Sequence, residues 1–509
     1  MVSCLSFPSV FCKQIVRAMM PGGRDDEVMM SVKVSKREVV AAFLPVQEHW
    51  LPLSNLDLLL PPLDVGVVFC YAAPAMANNN YDDKMKPRLL RTFGSMVGAL
   101  KVSLAQVLVT YYAFAGEMVV NSAGEPELLC NNSGVDFVEA SADIQLRHLN
   151  LYNPDESLEG KLVPSKKRGV LAVQATELKC GGMVVACKFD HRIADAYSAN
   201  MFLASWAEMC RSSSISIFPS FRRSLLYPQH RSTSSHHLNL GLDDLYVPLS
   251  KLPAPPPECP VTNEGARPAD HLKSRIYHVP ADQLSQLQLV ASSNGCKRTK
   301  LESFSSFLWK MVAKSDAFDS AHDRPASADV KMRTSKMGIV VDGRTRLPGD
   351  MSSYFGNVLS IPFGEKSVSK LAEKSLSWIA DGVHEMLSTA ATREHFLGLI
   401  DWVEAHRPKP NLARVYCKET GDGPALVVSS GQRLPLADID FGWGRPVFGS
   451  YHFPWGGDCG YVMPMPSPLG NGDWIVYMHL AERQLHFIES EAAHVFRPLT
   501  FHYLSHEGI

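Results

Sequence analysis

The chain of 509 residues predicts two large domains or three small ones, at roughly 150 residues per domain. Its residues are 46% hydrophobic and 20% charged, the balance of a folded protein, which excludes a disordered, fibrous or repeat chain. Because 50 Lys plus Arg face 52 Asp plus Glu, the net charge of -2 gives no electrostatic footprint for nucleic acid or an anionic membrane surface.

Strand-like and helix-like patterns alternate along the first half of the chain, which predicts an α/β fold. Residues 1–30 are set apart as an N-terminal extension that we expect to be disordered. Strands are predicted at VKVSKREVVAAF and VGVVFCYAA and, as an adjacent pair, at VLAVQATEL and GGMVVACKFD. Apolar residues at helical spacing predict helices in RLLRTFGSMVGALKVSLAQVLVTYYAF and AYSANMFLASWAEMC.

A change of composition divides the chain in two. Between Arg211 and Asp270 the sequence is rich in Ser and Pro, as in STSSHH and LPAPPPECP, which predicts a linker without packed elements. We therefore expect an N-terminal domain at 31–225, a connecting loop at 226–270 and a C-terminal domain at 271–509.

The second half continues the alternation of strands and helices. It begins with a strand at SRIYHVP and a helix at ADQLSQLQLVASSNG, and TKLESFSSFLWKMVAKS begins as a helix with a Thr-x-x-Glu start signal. The acidic stretch SDAFDSAHDRPASAD is predicted to be a solvent loop. Further strands are expected in GIVVDGRTRLP, SSYFGNVLSIPF, PALVVSSGQR and DWIVYMHLAE, and a helix in LAEKSLSWIADGVHEMLSTA.

The spacing His-x-x-x-Asp occurs twice, at His191 to Asp195 in HRIAD and at His278 to Asp282 in HVPAD. Eighteen histidines produce about one such match by chance, so the spacing alone is weak. In HVPAD, Pro280 predicts the first turn of a helix, and Asp282 would complement that helix N-terminus. We therefore interpret His278 as structural.

His191 has a different context, because it follows a buried strand directly and precedes a helix. At such a corner a side chain can project into a cleft between domains. An imidazole titrates near neutrality, so it can take a proton from an alcohol or amine that attacks a carbonyl. Asp195 is better placed to brace the corner by pairing with an arginine than to relay charge. On these residues alone, a structural histidine is an equal alternative.

Two motifs taken together are more specific than either one. DHRIADAYSANMFL and DFGWG occur in this order and with a separation that resembles the signature motifs of plant BAHD acyl-CoA-dependent acyltransferases. The resemblance extends from about Val32 to the last strands. Within that family the chain is most similar to coniferyl alcohol acyltransferases, through VQEHWLPLSNLDLLLPP, GEPELLCNNSGVDF, HRIADAYSANMFL and VVSSGQRLP.

The resemblance implies a fold and a reaction. It implies a monomer with two similarly sized domains of chloramphenicol-acetyltransferase-like topology and an interdomain solvent channel. Acyl-CoA, as co-substrate, would enter from one face and the acceptor from the other, with no bound cofactor and no metal. His191 would be the general base that deprotonates the acceptor hydroxyl, without an acyl-enzyme.

The resemblance also implies supporting residues around the histidine. Asp195 would brace the catalytic loop through an arginine, for which Arg344 in VDGRTRL is the candidate. Asn357 in SYFGNV would contact the CoA or the acyl carbonyl, with a turn-stabilising role as the alternative. The second motif would lie away from the histidine and support the domain arrangement and the CoA side; its residues are Asp440, Phe441, Gly442, Trp443 and Gly444.

Three positions bear on the choice of acceptor. Hydroxycinnamoyltransferases that use shikimate or quinate present a Thr-x-Ser-x-Tyr set, and the matching positions here are Val65, Val67 and Phe69. An apolar wall would leave polyol and carboxylate groups unpaired, at about 1–3 kcal/mol each, and would favour an aromatic alcohol. Arg433 matches the arginine that holds the shikimate carboxylate in those relatives, with a solvent-facing arginine as the alternative.

These inferences predict transfer of an acyl group, acetyl in the first instance, from CoA to the terminal hydroxyl of a monolignol such as coniferyl alcohol. The alternative within the class is hydroxycinnamoyl transfer to shikimate or quinate, a fatty alcohol or an amine. The alternative from another class is a non-catalytic binding protein on the same fold.

Location and partners follow from simpler features. The eleven cysteines form no Cys-x-x-Cys pair, which favours reduced thiols and a cytoplasmic location. No uninterrupted apolar run approaches the roughly 18 residues of a membrane span, so we expect no membrane-spanning helix. The expected partners are an acyl-CoA donor and an aromatic alcohol, and no nucleic acid.

Overall fold

Two mixed β-sheets, each covered by helices, organise the chain and confirm the expected α/β class. The computed structural model describes residues 30–505, with gaps at 46, 74–91, 229–240, 253–270, 323–332, 419–421 and 456. The extension predicted at 1–30 therefore lies outside the described residues, apart from Met30.

The first sheet is built mainly from the N-terminal half of the chain. The adjacent strand pair predicted from VLAVQATEL and GGMVVACKFD is confirmed as an antiparallel pair. Helices Phe93–Thr110 and Ala196–Ser212 pack against each other and share one hydrophobic core with the sheet. In spatial order the six strands are Val32–Val40, Val135–Ala142, Leu171–Leu178, Met183–Asp190, Asp64–Tyr71 and Phe448–His452.

The last of these strands, Phe448–His452, comes from the far end of the chain, and we call it the crossing strand. It pairs antiparallel with Asp64–Tyr71 and so joins the C-terminal half to the first sheet. Gly449 permits this approach, since an added Cβ would lie only 3.1 Å from the ring of Phe69. The sequence division at 226–270 does not anticipate this exchange.

The second sheet lies in the C-terminal half and has seven strands. In spatial order they are Phe363–Ser367, Thr334–Ile339, Ala425–Val428, Gly460–Pro466, Trp474–Ala481, Leu272–Val279 and Arg497–Pro498. A second core contains buried residues of this sheet and of its helices, namely Ala281–Ala291, Lys300–His322, Val368–Glu373, Leu376–Ala390 and Glu482–Glu491. A short helix, Phe501–Leu504, ends the described chain.

Helix Lys300–His322 begins as its sequence predicts but ends later. Thr299 and Glu302 form the expected reciprocal start, because each side chain accepts the backbone N–H of the other, at 3.2 and 2.6 Å. The helix continues through SDAFDSAH, so the prediction of a solvent loop there is wrong. Asp316, in this stretch, is buried and ion-paired with Arg333 at 2.8 Å, which holds the added turns.

Three smaller sheets complete the described strands. Strands His49–Pro52, Pro126–Cys130 and Glu117–Val120 form one small sheet, while Val341–Asp342 pairs with Leu359–Ser360. A third core brings Leu56 and Leu59 of the N-terminal half against Phe396 and Ile400 of helix Arg393–His406. The two halves are therefore joined by packed side chains.

Part of the expected linker is packed structure. Helix Leu242–Leu245 and strand Tyr246–Pro248 lie within 226–270, and the strand pairs with Asn411–Ala413. Tyr246 is buried, as is Leu242, so these residues belong to the third core. Ser and Pro content was a poor guide here because one short segment, GLDDLYVP, buries the side chains of Leu242, Tyr246 and Val247.

Helix Phe93–Thr110 is the described helix that is long and apolar enough to cross a membrane by length and composition. The sequence predicted no membrane span, because charged residues such as Lys101 interrupt its apolar runs. The mean hydropathy of this helix nevertheless reaches 1.4. Lys101 forms ion pairs with Glu38 and Glu139, and Leu100, Leu104 and Leu108 of the helix are buried in the first core. A core helix passes the same length and composition test.

Candidate active site

The His-x-x-x-Asp motif at 191–195 forms a tight corner between strand Met183–Asp190 and helix Ala196–Ser212. The backbone N–H of His191 donates to the carbonyl of Leu63 at 2.9 Å, which ties the corner to the start of the neighbouring strand. Asp195 caps the helix, since its carboxylate accepts the N–H of Ser198 at 2.9 Å. The local sequence thus fixes where the histidine projects.

His191 lines a pocket with an empty volume of about 620 Å³, including the open space at its mouth. The wall comes from both halves of the chain and is mainly apolar, and among its described side chains the histidine alone has a basic nitrogen. The other lining residues are Leu59, Leu60, Pro61, Leu63, Val340, Leu359, Ile361, Leu412, Tyr416, Ser429, Phe453, Trp455 and Tyr461.

The two nitrogens of the His191 ring have different surroundings. Nδ1 is buried and has no hydrogen-bond partner among the residues described. Nε2 is therefore the nitrogen available to a molecule in the pocket. The ring meets Phe453 edge-on, with 6.0 Å between centroids and planes at 86°. Among the described residues no carboxylate is hydrogen-bonded to Nδ1, so the arrangement is not of the Ser-His-Asp type.

Asp195 forms a buried bidentate ion pair with Arg344, the arginine expected as its partner. The guanidinium donates to the two carboxylate oxygens at 2.7 and 3.1 Å, and further bonds reach Ser198 Oγ at 3.0 Å and the carbonyl of Gly356 at 2.9 Å. Burial acts against the charge of Arg344, but Asp195 and then Asp342 raise its pKa above the ordinary value. The ion pair therefore holds the corner between the strand and the helix in place.

Asn357 joins the histidine loop to a second buried carboxylate. Its amide donates to the carbonyl of His191 at 3.0 Å, to that of Arg192 at 3.2 Å and to Asp57 Oδ1 at 2.9 Å. The backbone N–H of Asn357 donates to the same oxygen of Asp57 at 2.7 Å. Asn357 is fully buried and is not among the residues that line the pocket, so these hydrogen bonds hold the histidine loop in place.

Two residues that were not among the sequence predictions, Asp57 and Arg223, complete this brace. The Ser54 hydroxyl donates to Asp57 at 2.7 Å, and the Arg223 guanidinium lies 3.8 Å from it. Arg223 also donates to the carbonyl of Phe355 at 2.7 Å. Gly356 has φ +148°, and a Cβ there would lie 2.8 Å from Arg223, so only glycine fits. The Asn-x-Asp segment in SNLDL was the available signal.

The second motif lies away from His191 and anchors the crossing strand. Asp440 accepts the backbone N–H groups of Gly442 and Gly444 at 2.7 and 3.0 Å, which folds the motif into a tight turn. The Phe441 ring packs on Trp206 at 4.8 Å, and Trp443 stacks on Phe441 at 5.6 Å. The turn thereby fixes the start of the strand whose far end carries Phe453 to the histidine.

The acceptor-wall prediction fails for Val65, Val67 and Phe69. None of them lines the pocket; all three are buried inside the first core, the last two completely. Strand Asp64–Tyr71 lies between two paired strands and points these side chains into packed layers, while the apolar run before it, Leu59 to Leu63, forms the wall. Arg433 lies on an exposed turn and does not line the pocket either.

A buried hydroxyl network supports the opposite wall of the pocket. The Ser360 hydroxyl is hydrogen-bonded to His395 Nε2 at 2.7 Å and to the Tyr246 hydroxyl at 2.9 Å. The backbone N–H of Ile361, a lining residue, donates to Tyr246 at 2.9 Å. Burial lowers the pKa of His395 to about 4, so the folded protein holds this ring neutral.

We expect His395 to make stability depend on pH. The unfolded chain binds the proton at its ordinary pKa of about 6.5, so the contribution is complete above that value and is lost as pH falls towards 4. The loss amounts to roughly 3 kcal/mol. In urea denaturation, the wild-type advantage over His395→Gln should therefore shrink between pH 7 and pH 4.5. An advantage constant over that range, or an equal change with the exposed His486→Gln, would contradict this assignment.

Comparison with sequence families matches residues 30–495 to the model described as the Transferase family. A shikimate O-hydroxycinnamoyltransferase of Nicotiana tabacum is 27% identical over 477 residues, covering 90% of this chain and 99% of the relative. An omega-hydroxypalmitate O-feruloyl transferase of Arabidopsis thaliana is 24% identical over 420 residues, covering 78% of each.

Solved structures share the fold. Vinorine synthase superposes with a TM-score of 0.64 at 20% identity, covering 92% of this chain and 99% of that chain. TRI101 of F. graminearum, solved with coenzyme A and deoxynivalenol, superposes with a TM-score of 0.65 at 13% identity, covering 88% and 98%.

Proposed function

The chain belongs to the Transferase family of BAHD acyl-CoA-dependent acyltransferases, and on that premise we propose that it transfers an acetyl group from CoA to the terminal hydroxyl of coniferyl alcohol. Enzymes of this family use a CoA thioester as co-substrate. We take acetyl as the acyl group and a monolignol as the acceptor from the resemblance of the sequence segments quoted above.

One observation carries the choice of acceptor: the pocket beside His191 is lined mainly by apolar and aromatic side chains, and no arginine or lysine is among its described lining residues. The carboxylate of shikimate or quinate would lose water there without gaining a cation, which is costly. A neutral, flat aromatic alcohol would gain contact with Phe453, Trp455 and the leucines of the wall. Arg433, on its exposed turn, does not change this balance.

In the proposed reaction, the alcohol oxygen attacks the thioester carbonyl while His191 Nε2 takes its proton. The C–O bond forms and gives a tetrahedral intermediate. Its collapse breaks the C–S bond, and the thiolate of CoA leaves with the proton returned by the imidazolium. Ester and free CoA are the products, and no acyl group is carried on the protein.

The supporting residues act by position. Asp195 with Arg344, and Asp57 with Asn357, hold the backbone on either side of the histidine, so that the ring presents Nε2 to the pocket. Asp440 to Gly444 act from further away, through the crossing strand and Phe453. We assign none of these residues to contact with the reacting atoms.

We extend the proposal to the organisation of the protein. Two units at 31–225 and 271–509, joined through 226–270, would place a channel along their contact, with CoA entering from one face and the alcohol from the other. We propose a monomer in the cytoplasm. Among the described cysteines, Cys70, Cys130, Cys187 and Cys459 are buried free thiols, which agrees with a reducing compartment.

The substrate proposal predicts a product. Purified protein is offered acetyl-, malonyl- and coumaroyl-CoA against coniferyl alcohol and shikimate, and ester formation is followed by mass. We expect coniferyl acetate, formed at least tenfold faster than any shikimate ester, which corresponds to about 1.4 kcal/mol. A preference for coumaroyl-CoA with shikimate would overturn the acceptor argument. Binding without any transfer would favour the non-catalytic alternative.

Hydroxycinnamoyl transfer is the second candidate, since the relatives reported above move hydroxycinnamoyl or feruloyl groups. The same pocket would then take the aromatic acyl group, with shikimate, a fatty alcohol or an amine as acceptor. The acyl-CoA arms of the assay separate this possibility from acetyl transfer.

A further inference from the structure

Part of the pocket is polar, and the proposed reaction makes no use of it. Ser429 and Tyr461 line this part, and Tyr416 lies beside them. Tyr461 belongs to strand Gly460–Pro466, and Ser429 directly follows the neighbouring strand Ala425–Val428. The N–H of Ser429 donates to the carbonyl of Val462 at 2.9 Å, so the backbone holds both side chains in place.

A row of rings connects this polar group to the histidine. The His191 and Phe453 centroids are 6.0 Å apart, and the Phe453 and Tyr461 centroids are 5.0 Å apart. The centroids of the His191 and Tyr461 rings are therefore at most about 11 Å apart. The middle ring is itself part of the pocket wall, so a flat ligand beside it would touch both ends of the row.

The two hydroxyl groups have unused hydrogen-bonding capacity. Tyr461 Oη donates to the thioether of Met463 at 3.6 Å, which is a weak bond to a poor acceptor. Burial raises the pKa of Tyr461 to about 12, against the opposing hydrogen bond from Ser429, so the phenol remains a donor at neutral pH. Two hydroxyls bring two donors and four lone pairs, of which these bonds use only a part.

We propose that the Ser429–Tyr461 hydroxyl pair binds the phenolic hydroxyl of the aromatic alcohol whose terminal hydroxyl lies at His191. An apolar pocket with a small number of placed polar groups is the usual way in which a protein fixes the orientation of a small ligand. This inference rests on the proposed function, because it takes the alcohol as the occupant of the pocket.

The length of the substrate fits the spacing. From standard bond lengths, the two hydroxyl oxygens of an extended 4-hydroxycinnamyl alcohol lie about 9 Å apart. The ring row allows that reach with one oxygen at Nε2 of His191 and the other at the pair. The ring of the alcohol would then pack along Phe453.

The test compares two alcohols that differ by one hydroxyl group. Binding of p-coumaryl alcohol and of cinnamyl alcohol is measured by titration calorimetry on wild-type protein and on Tyr461→Phe. We expect wild type to bind p-coumaryl alcohol about tenfold more tightly, the effect of one hydrogen bond in a desolvated pocket. Tyr461→Phe should bring the ratio close to one and leave cinnamyl alcohol within about twofold of wild type.

Two further variants keep the result interpretable. Ser429→Ala should also reduce the ratio, which covers the case in which Tyr461→Phe does not fold. Tyr227→Phe removes an exposed hydroxyl outside the pocket lining and should leave the ratio unchanged. An equal loss for both alcohols in Tyr461→Phe, or a wild-type ratio near one, would overturn the inference.

The same preparations separate this inference from the proposed function. One outcome is acetyl transfer to p-coumaryl alcohol together with an affinity ratio of the two alcohols that Tyr461→Phe leaves unchanged. That outcome would refute the proposed role of the hydroxyl pair and leave the proposed reaction standing. The opposite outcome is a tenfold affinity ratio that is lost in Tyr461→Phe, with no ester formed from any CoA thioester. That outcome would support the role of the hydroxyl pair and refute the proposed reaction.

Discussion

Replacement of His191 by alanine is expected to lower kcat/KM for ester formation by about 10³- to 10⁴-fold, at the upper end of what general acid–base catalysis supplies. The reason is that Nε2 is the proton acceptor in the proposed reaction, and no other side chain in the described part of the pocket wall has a basic nitrogen. The ring is only partly buried and meets Phe453 edge-on, so the fold should survive its loss. Steady-state kinetics and circular dichroism check both statements.

The chain contains a matched control for this variant. His278 also begins a His-x-x-x-Asp sequence, but it lies on strand Leu272–Val279, stacks on Tyr503 at 4.0 Å and does not line the pocket. His278→Ala should therefore change kcat/KM by less than about threefold. If His191→Ala kept more than a tenth of the activity, or both variants lost it equally, His191 would not be the base.

Breaking the ion pair between Asp195 and Arg344 is expected to cost about 3 kcal/mol of folding free energy, because the buried guanidinium loses its buried carboxylate partner. Asp195→Asn keeps an oxygen for the Ser198 cap, but it leaves Arg344 with the more exposed carboxylate of Asp342, 3.3 Å away, as a charged partner. Activity should fall with stability, since the histidine loop is no longer braced. Urea denaturation and kcat measure the two effects.

A double variant distinguishes the pair from its members. Asp195→Asn combined with Arg344→Gln removes both charges, so its loss should be smaller than the sum of the two single losses, by about 2 kcal/mol or more. As a surface control, Arg445→Gln breaks an exposed pair with Asp438 and should cost less than about 1 kcal/mol. Additive losses, or single losses as small as the control, would show that the pair does not brace the corner.

Local signals in the sequence were the reliable ones. The capping pattern of Thr299 and Glu302, the strand pair before His191 and the strand-to-helix corner all depend on residues close together in the chain, and the structure has each of them. The pairing of Arg344 with Asp195 could be predicted because Arg344 lies in a motif that resembles a family pattern.

Contacts between residues far apart in the sequence could not be predicted in the same way. Asp57 and Asn357 are 300 residues apart, and no local pattern indicates that one buried amide joins them to the histidine loop. Phe453 arrives through the crossing strand, which a division into two consecutive domains hides. Val67 was misplaced because a strand buried on both faces has no alternation to show which side chains face a pocket.

The position of the alcohol relative to His191 tests the central claim most directly. A crystal structure of the wild-type protein with CoA and coniferyl alcohol should place the terminal hydroxyl oxygen at about 2.6–3.2 Å from Nε2 of His191, inside the pocket that the two halves of the chain share. An alcohol bound with its terminal hydroxyl out of reach of that nitrogen, or at a site elsewhere on the protein, would contradict the role that we assign to His191.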